Sequence, residues 1–460
     1  MREREPHRPG WKRSDEMVTR NAKGGRRVVA VLSGFLATAL LGWSSGALAQ
    51  PSSDYPAGYV VLPKILVHTT GGTPPVLAGG SVTDTIVQIT NTDTVNPHQV
   101  DCFWVNANNH CGAASGAICD TNADCPRGLN CLPFWSILDF GQITLTPGQP
   151  IGFTASEGLA SIPCDANFPG PGCFGHCSLS TSVICSIDSD CASQTPSGQT
   201  CTAQASGSIP GVPEDPFRGE LKCVEVDAND HPIPSNDLKE EATIVSTTIP
   251  VAAAPATTAA SYNGVGFQAE PMAGTTPVGN ATLCLGSPPS STTTCNQTYQ
   301  PCSNNLILDN FFEGASPEFG GVVSTDLTIA PCSEDLSNTN ANASHAIALQ
   351  FLVYNEFEQR VSFAKSFTCF KETPLGLIDA SPGQTNFSIW AQGVEGTMTG
   401  QTLIRGVQGA AGPLGYGILG VAIESFSETA GGPVLATDAF NIHESSGFNA
   451  GGDAVILDVP

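Results

Sequence analysis

The sequence predicts an all-β protein made of two tandem antiparallel β-sandwich domains, the first carrying inserted disulfide-rich loop modules. Three observations lead there. Helical periodicity is nearly absent, and short runs rich in Val, Ile, Thr and Phe alternate with clusters of Gly, Pro, Asn and Asp. Glycine (49) and proline (35) are abundant among the 460 residues, yet 40% of the chain is apolar, enough to bury a core. All 17 cysteines lie after Val100, where the strand-like runs begin to be interrupted.

Taken in order, Tyr59-Val-Val-Leu-Pro-Lys-Ile-Leu-Val67 reads as a first strand, with Pro63 placing an edge or a bulge in it. Residues 83–90 and 100–105 flank the turn Asn91-Thr-Asp-Thr-Val-Asn-Pro97. Cys102, Phe103, Trp104 and Val105 put bulk on both faces, as in a central strand of a two-layer sandwich. This strand, Asn/Asp-Pro turn and aromatic-bearing strand together resemble an immunoglobulin-like or pilus-chaperone-like sandwich over about twenty-five residues. The resemblance implies that Cys102 and Cys223, on separate strands, bridge the two sheets.

Strands resume at 217–226. Residues 238–241 are expected to form one helical turn before a strand at 242–249. Pro250-Val-Ala-Ala-Ala-Pro-Ala-Thr-Thr-Ala-Ala260 has a linker's composition and divides a first domain, 50–249, from a second, 261–460. In the second, 346–354 and 361–370 form a hairpin in which Val361, Phe363, Phe367 and Cys369 share a face. Lys365 falls on that apolar face, where it must snorkel at a rim unless the register is wrong. Residues 387–390, 402–407 and 417–426 continue the strand pattern.

Residues 1–49 read as a signal peptide. Arg26-Arg27 precede the apolar run 28–41, which is too short to span a bilayer comfortably, and Ala47-Leu-Ala49 marks cleavage before Gln50. The expected product is secreted or otherwise extracytoplasmic, without a transmembrane anchor. Of the chain's 18 bases and 42 acids, nine and four lie in residues 1–49, so 9 bases and 38 acids remain, a net charge of −29. That charge repels phosphate backbones and excludes nucleic acid as a partner.

The most informative pattern is a duplication. His110-Cys111 is followed by Cys119, Cys125 and Cys131; His176-Cys177 is followed by Cys185, Cys191 and Cys201. The first two intervals match, and each copy repeats an Asn or Asp three residues after its second cysteine and an Asp five after it. Inserts this short, at 110–131 and 176–201, bury no core of their own and need cross-links. Two disulfides per copy are favoured over zinc, because export oxidises thiols and no Cys-x2-Cys knuckle is present. The pairing stays open among three possibilities. Asp120, Asn122, Asp124, Asp188 and Asp190 suggest calcium weakly; turn capping by Asx side chains is the simpler account. In the second half, Cys284 and Cys295 suit a loop staple. Five cysteines there leave one thiol free or joining two chains.

No hydrolase elbow, zincin helix or phosphate loop occurs. Gly415-Tyr-Gly417-Ile-Leu-Gly420 matches the dinucleotide fingerprint but leads into a strand-like run. Glu356 with Glu358, in an expected turn, and Glu424 with Glu428 can be imagined as glycosidase carboxylate pairs, but solvated acids are the default reading in so acidic a chain, and the histidines lie mostly in loops. The expected function is therefore a binding or structural role without catalysis, cofactor or resident metal, toward a protein or glycan partner. One alternative is a carbohydrate-binding module or glycan-active enzyme stacking sugars on exposed Trp135 or Trp390. Another is an adhesin or filament subunit that adds strands from chain to chain.

Overall fold

The first strand carries apolar side chains on both faces, and both are buried. The computed structural model describes residues 51–457 apart from 70–80, 113–115, 161, 163–174, 186–190, 192–196, 203–206, 249–255, 272–278, 292, 313–320, 338–345, 369, 380–397, 408–414, 430–431 and 445–451. All nine residues of Tyr59–Val67 are buried. The strand lies in a five-stranded antiparallel sheet in the order Val265–Phe267, Tyr59–Val67, Phe217–Val226, His98–Asn106, Ser136–Leu145. A bulge between Leu62 and Ile65 takes up Pro63, which has no N–H for the ladder.

One face of this central sheet packs Leu62, Cys102, Trp104, Leu221 and Cys223 against Val87, Ile89, Phe153, Ala242 and Ile244. The latter belong to a six-stranded sheet that includes Ser81–Asn91, Leu238–Thr248 and Ala256–Asn263. The other face packs Tyr59, Val61, Phe103, Val105 and Val224 against Leu283, Leu285, Tyr299, Cys302, Leu336 and Val455 of the second half. A sheet covered on both sides needs apolar residues at odd and even positions alike, and this is why its strands do not alternate.

In the second half, a five-stranded sheet (Arg360–Thr368, Ala346–Asn355, Thr399–Val407, Asn305–Phe311, His443–Glu444) faces a four-stranded one (Lys371–Pro374, Val322–Pro331, Ile418–Ser427, Val434–Asn441). Leu308, Leu327, Phe351 and Ile404 lie in the core between them. A small sheet of Gln297–Tyr299, Thr282–Leu285, Asp453–Ile456 and Glu334–Asp335 contains two parallel pairings, an exception to the antiparallel expectation. The predicted hairpin forms, pairing Ala346–Asn355 with Arg360–Thr368, and Lys365 is half-buried, its ammonium donating to the Ile378 carbonyl at 2.9 Å.

Charge crosses from one half to the other. Lys64 Nζ, fully buried beside the bulge, meets Asp326 at 2.6 Å, Thr328 at 2.9 Å and the Glu372 carboxylate. Burial works against its charge, but the two carboxylates outweigh burial and hold its pKa above the usual range. Lys222, also fully buried, pairs with Glu334 and lies 3.4 Å from Glu220.

Three expectations are corrected. Residues 256–260 are not linker: they belong to the strand Ala256–Asn263, paired along its length with Leu238–Thr248. Residues 238–241 are strand, not a helical turn, because Leu238, Glu240 and Ala242 alternate into the core. Cys102 and Cys223 do form a disulfide, but as directly opposed residues on adjacent strands of one sheet, with Cα atoms 4.1 Å apart; they bridge no two sheets.

Two outcomes follow from the shared central sheet. Calorimetry of the chain beyond residue 49 should show one cooperative transition spanning both halves. Lys222→Met should lower stability by about 3–5 kcal/mol in denaturant titration, since it leaves Glu220 and Glu334 buried without their cation.

Candidate functional site

The duplicated cysteine segments fold alike. In the first, Asn109–Cys111 lies between Ile118–Cys119 and Cys131–Pro133; in the second, Gly175–Cys177 lies between Ser180–Cys185 and Cys201–Thr202. The first cysteine of each copy faces the fourth across the ladder, Cys111 to Cys131 and Cys177 to Cys201. Disulfides join first to third in both, Cys111–Cys125 and Cys177–Cys191, and second to fourth in the first copy, Cys119–Cys131. The side chains of Cys185 and Cys201 lie outside the described residues.

Each module leaves and re-enters the body through paired residues. Asn106 opposes Ser136 around the first, and Leu159 opposes Ile209 around the second. The two necks are neighbours. The Pro210 carbonyl, at the exit of the second module, accepts from Trp104 Nε1 at 3.0 Å. Four residues on, Glu214 sits beneath the first module, accepting from Asn106 and Asn108 at 2.6 Å, with His110 Nε2 at 3.1 Å. Burial opposes its charge, but these partners hold its carboxyl below the usual range. His110 stacks on Phe134, and Arg218 pairs with Asp120 at 2.8 Å. Leucines point outward on both modules: Leu129 is 45%, Leu132 47% and Leu179 66% exposed.

The suggested calcium residues of the first copy are engaged in the turn itself. Asp124 Oδ2 accepts from the backbone N–H groups of Asp120 and Thr121, Thr121 Oγ1 accepts from Ala123, and Asn122 accepts from Cys131 N–H. Asp188 and Asp190 lie outside the described residues. Trp135 is no exposed platform: it is 2% exposed, and its indole N–H donates to Glu334, the partner of Lys222. Trp390 lies outside the described residues.

Cys284–Cys295 pairs as expected, and Cys302–Cys332 forms as well. That leaves Cys369 of the second half, which is also outside the described residues. The glycine fingerprint is a packing feature: a Cβ on Gly417 would fall 2.7 Å from Cys302 Sγ and 2.6 Å from Asp453, and the chain continues as the strand Ile418–Ser427.

Glu356 and Glu424, one from each proposed acid pair, line a cavity of about 560 Å³ with Asp309, Asn310 and Tyr354. Glu356 is committed to the backbone N–H groups of Met398 and Thr399, and Glu358 occupies a turn at φ 61°. A second cavity, about 540 Å³, is lined by Asp54, Tyr262, Asn441, His443 and Glu444.

A cluster that pattern reading passed over surrounds His98. Asp93 and Asp237 Oδ2 lie 3.4 and 3.5 Å from its Nε2, and the buried Glu225 lies 3.1 Å from its Nδ1. Its members come from three separate segments, so only the Asn/Asp-rich turn at 91–97 hinted at it. No helix among the described residues is long and apolar enough to cross a membrane.

Buried acids set the response to pH. Burial pushes Asp101 up to about 9, helped by Asp139 and Asp230. Burial alone takes Glu444 to about 8, and burial near Glu334 takes Glu220 to about 8 despite Lys222. Each favours its neutral form in the fold, so its stabilising contribution is complete below the ordinary carboxylate range and is lost as pH rises through 8 to 9. The melting temperature should therefore fall as the buffer is taken from mildly acidic to alkaline, and Asp101→Asn should flatten that fall.

No family model matches the chain, and no curated protein matches it. Among solved structures it is similar to the CupB6 tip adhesin from Pseudomonas aeruginosa, at 10% identity and a TM-score of 0.12, over 84% of this chain and 99% of that chain.

Proposed function

We propose that this is an exported, non-catalytic binding protein whose three-layer β body presents two disulfide-stapled modules side by side to a protein partner. The observation that carries this reading is the pair of adjacent necks: one loop design occurs twice, and the exit of the second copy is held to the central sheet at Trp104 through Pro210 and supports the base of the first through Glu214. Two rigid, similar units at one end of a body can engage one partner together, which raises avidity without enlarging either contact. Cross-linked loops lose little conformational entropy on binding, and the outward leucines supply apolar contact area. Export fits the disulfides and the basic-then-apolar start of the sequence.

Photo-crosslinking residues placed at Leu129 and Leu179 should trap one and the same protein from the native exported fraction, while a control at Ile86, on the outer sheet, should trap none. Adducts with equal yield at all three positions would end the proposal. Substituting a short Gly/Ser bridge for 175–202 should leave the body folded, because Leu159 and Ile209 still pair, yet weaken retention of the partner. Tryptophan fluorescence shifts on a polysaccharide panel that Trp390→Ala removes would instead favour the glycan-binding alternative.

A further inference from the structure

The geometry points to a zinc site formed by Asp93, His98 and Asp237, at the opposite end of the His98–Asn106 strand from the modules. The three ligand atoms, Asp93 Oδ2, His98 Nε2 and Asp237 Oδ2, lie within 4.8 Å of one another. The two separations to Nε2, 3.4 and 3.5 Å, are longer than a well-formed N–H···O bond. They match instead the edge of a tetrahedron with metal–ligand bonds of about 2.0–2.1 Å, which is roughly 3.3 Å.

The surroundings are built for such an ion. Glu225, fully buried, sets Oε1 3.1 Å from Nδ1, a carboxylate behind the imidazole that leaves Nε2 facing the two aspartates. Ser235 Oγ, 3.3 Å from Nδ1, donates to Asp237 Oδ2 at 2.8 Å, and Asn96 Nδ2 donates to Asp93 Oδ2 at 2.7 Å. These donors occupy a second lone pair on each ligand oxygen. The backbone is pinned as well: Thr92 N–H donates to the Asp237 carbonyl at 2.7 Å, and Val95 N–H to Asp93 Oδ1 at 2.7 Å.

Charge favours a dication. Three carboxylates surround one imidazole, and among the described residues none of the three pairs with a lysine or arginine. Calcium is a poor fit, since it takes six to eight oxygen ligands and this set offers a nitrogen and two carboxylates. Partial exposure of Asp93 and Asp237 leaves a fourth position for water. The ion would tie the 91–97 turn to the start of Leu238–Thr248 and to the first residue of the central-sheet strand, joining two layers at one end of the body.

The test uses the chain beyond residue 49, oxidised, alkylated with iodoacetamide so that no thiol contributes, and stripped with EDTA. Titration with zinc sulfate against a chromophoric chelator should show one equivalent bound, not displaced by excess calcium chloride, and zinc should raise the melting temperature. Cobalt(II) should give the strong visible absorption of a tetrahedral site. His98→Ala and Asp237→Asn should abolish the one-equivalent site, and Glu225→Gln should weaken it about 10–100-fold. Should His98→Ala fail to fold, Asp93→Asn, on an exposed turn, provides the same readout. Undiminished zinc binding by these ligand variants, displacement by calcium, or no stoichiometric binding by the parent chain would overturn the assignment and leave His98 as a protonated counter-ion to its carboxylates.

Discussion

A central sheet buried on both faces governs this molecule. Sheets of antiparallel strands usually keep one face for water, and their strands then alternate. Here Tyr59–Val67, Phe217–Val226 and His98–Asn106 serve two cores at once, one with the outer six-stranded sheet and one with the second half of the chain. Neither half can withdraw without exposing a full sheet face. The two buried lysines reinforce this, because Lys64 and Lys222 leave their strands on the first half and find their carboxylates on the second. Such pairs add little net stability over an apolar substitute. Their effect is on register, since a misplaced half leaves two cations and several acids dry and unpaired.

Much of this was legible along the chain wherever the information is local. The strands at 59–67, 98–106 and 217–226 follow from their apolar runs, the bulge from Pro63, and the modules from repeated cysteine intervals. What escaped depends on contacts far apart in sequence. Composition makes 250–260 look like a linker, but Ala256–Asn263 is strand because Leu238–Thr248 offers it an edge. Trp135 reads as a surface aromatic near a loop, and its burial depends on the core shared with the second half and on Glu334, 199 residues away, which accepts its indole N–H. The Cys102–Cys223 pairing was predicted correctly with the wrong geometry, since two cysteines on strands do not reveal whether those strands are neighbours or lie in facing sheets. A signal did exist for the charged core. Lys64 sits inside an otherwise apolar nine-residue run, and Glu220 and Lys222 share one face of a strand buried at every position but Arg218, where unpaired charge is too costly to tolerate.

The two ends of the first half solve the problem of ordering irregular chain in different ways. At the module end, segments with no core of their own are held by sulfur cross-links, and Glu214 satisfies three buried donors at their base. At the other end the turn is ordered by polar convergence, with three carboxylates drawn around His98. Disulfides tolerate exposure and need no counter-charge, which suits a surface presented to a partner. A knot of carboxylates requires positive charge to hold it, which suits a closed structural corner.

That need for positive charge connects the site chemistry to the composition. Only nine bases lie beyond residue 49, against 38 acids. Lys64 and Lys222 are spent in the interior and Arg218 on Asp120 at the base of a module, so the surface is left strongly anionic. An anionic surface resists non-specific association with nucleic acid and membranes, but among the described residues it leaves the corner at His98 without a lysine or arginine. A metal dication or a protonated imidazole then becomes the natural way to hold Asp93, Glu225 and Asp237 together. The same scarcity explains why Glu444 and Asp101 prefer to keep their protons in the fold, with no cation holding them charged, while Glu220 shares the single cation Lys222 with Glu334 and burial prevails there. Placement of a few positive charges, more than the number of apolar contacts, therefore decides which arrangement of these sheets is tolerated.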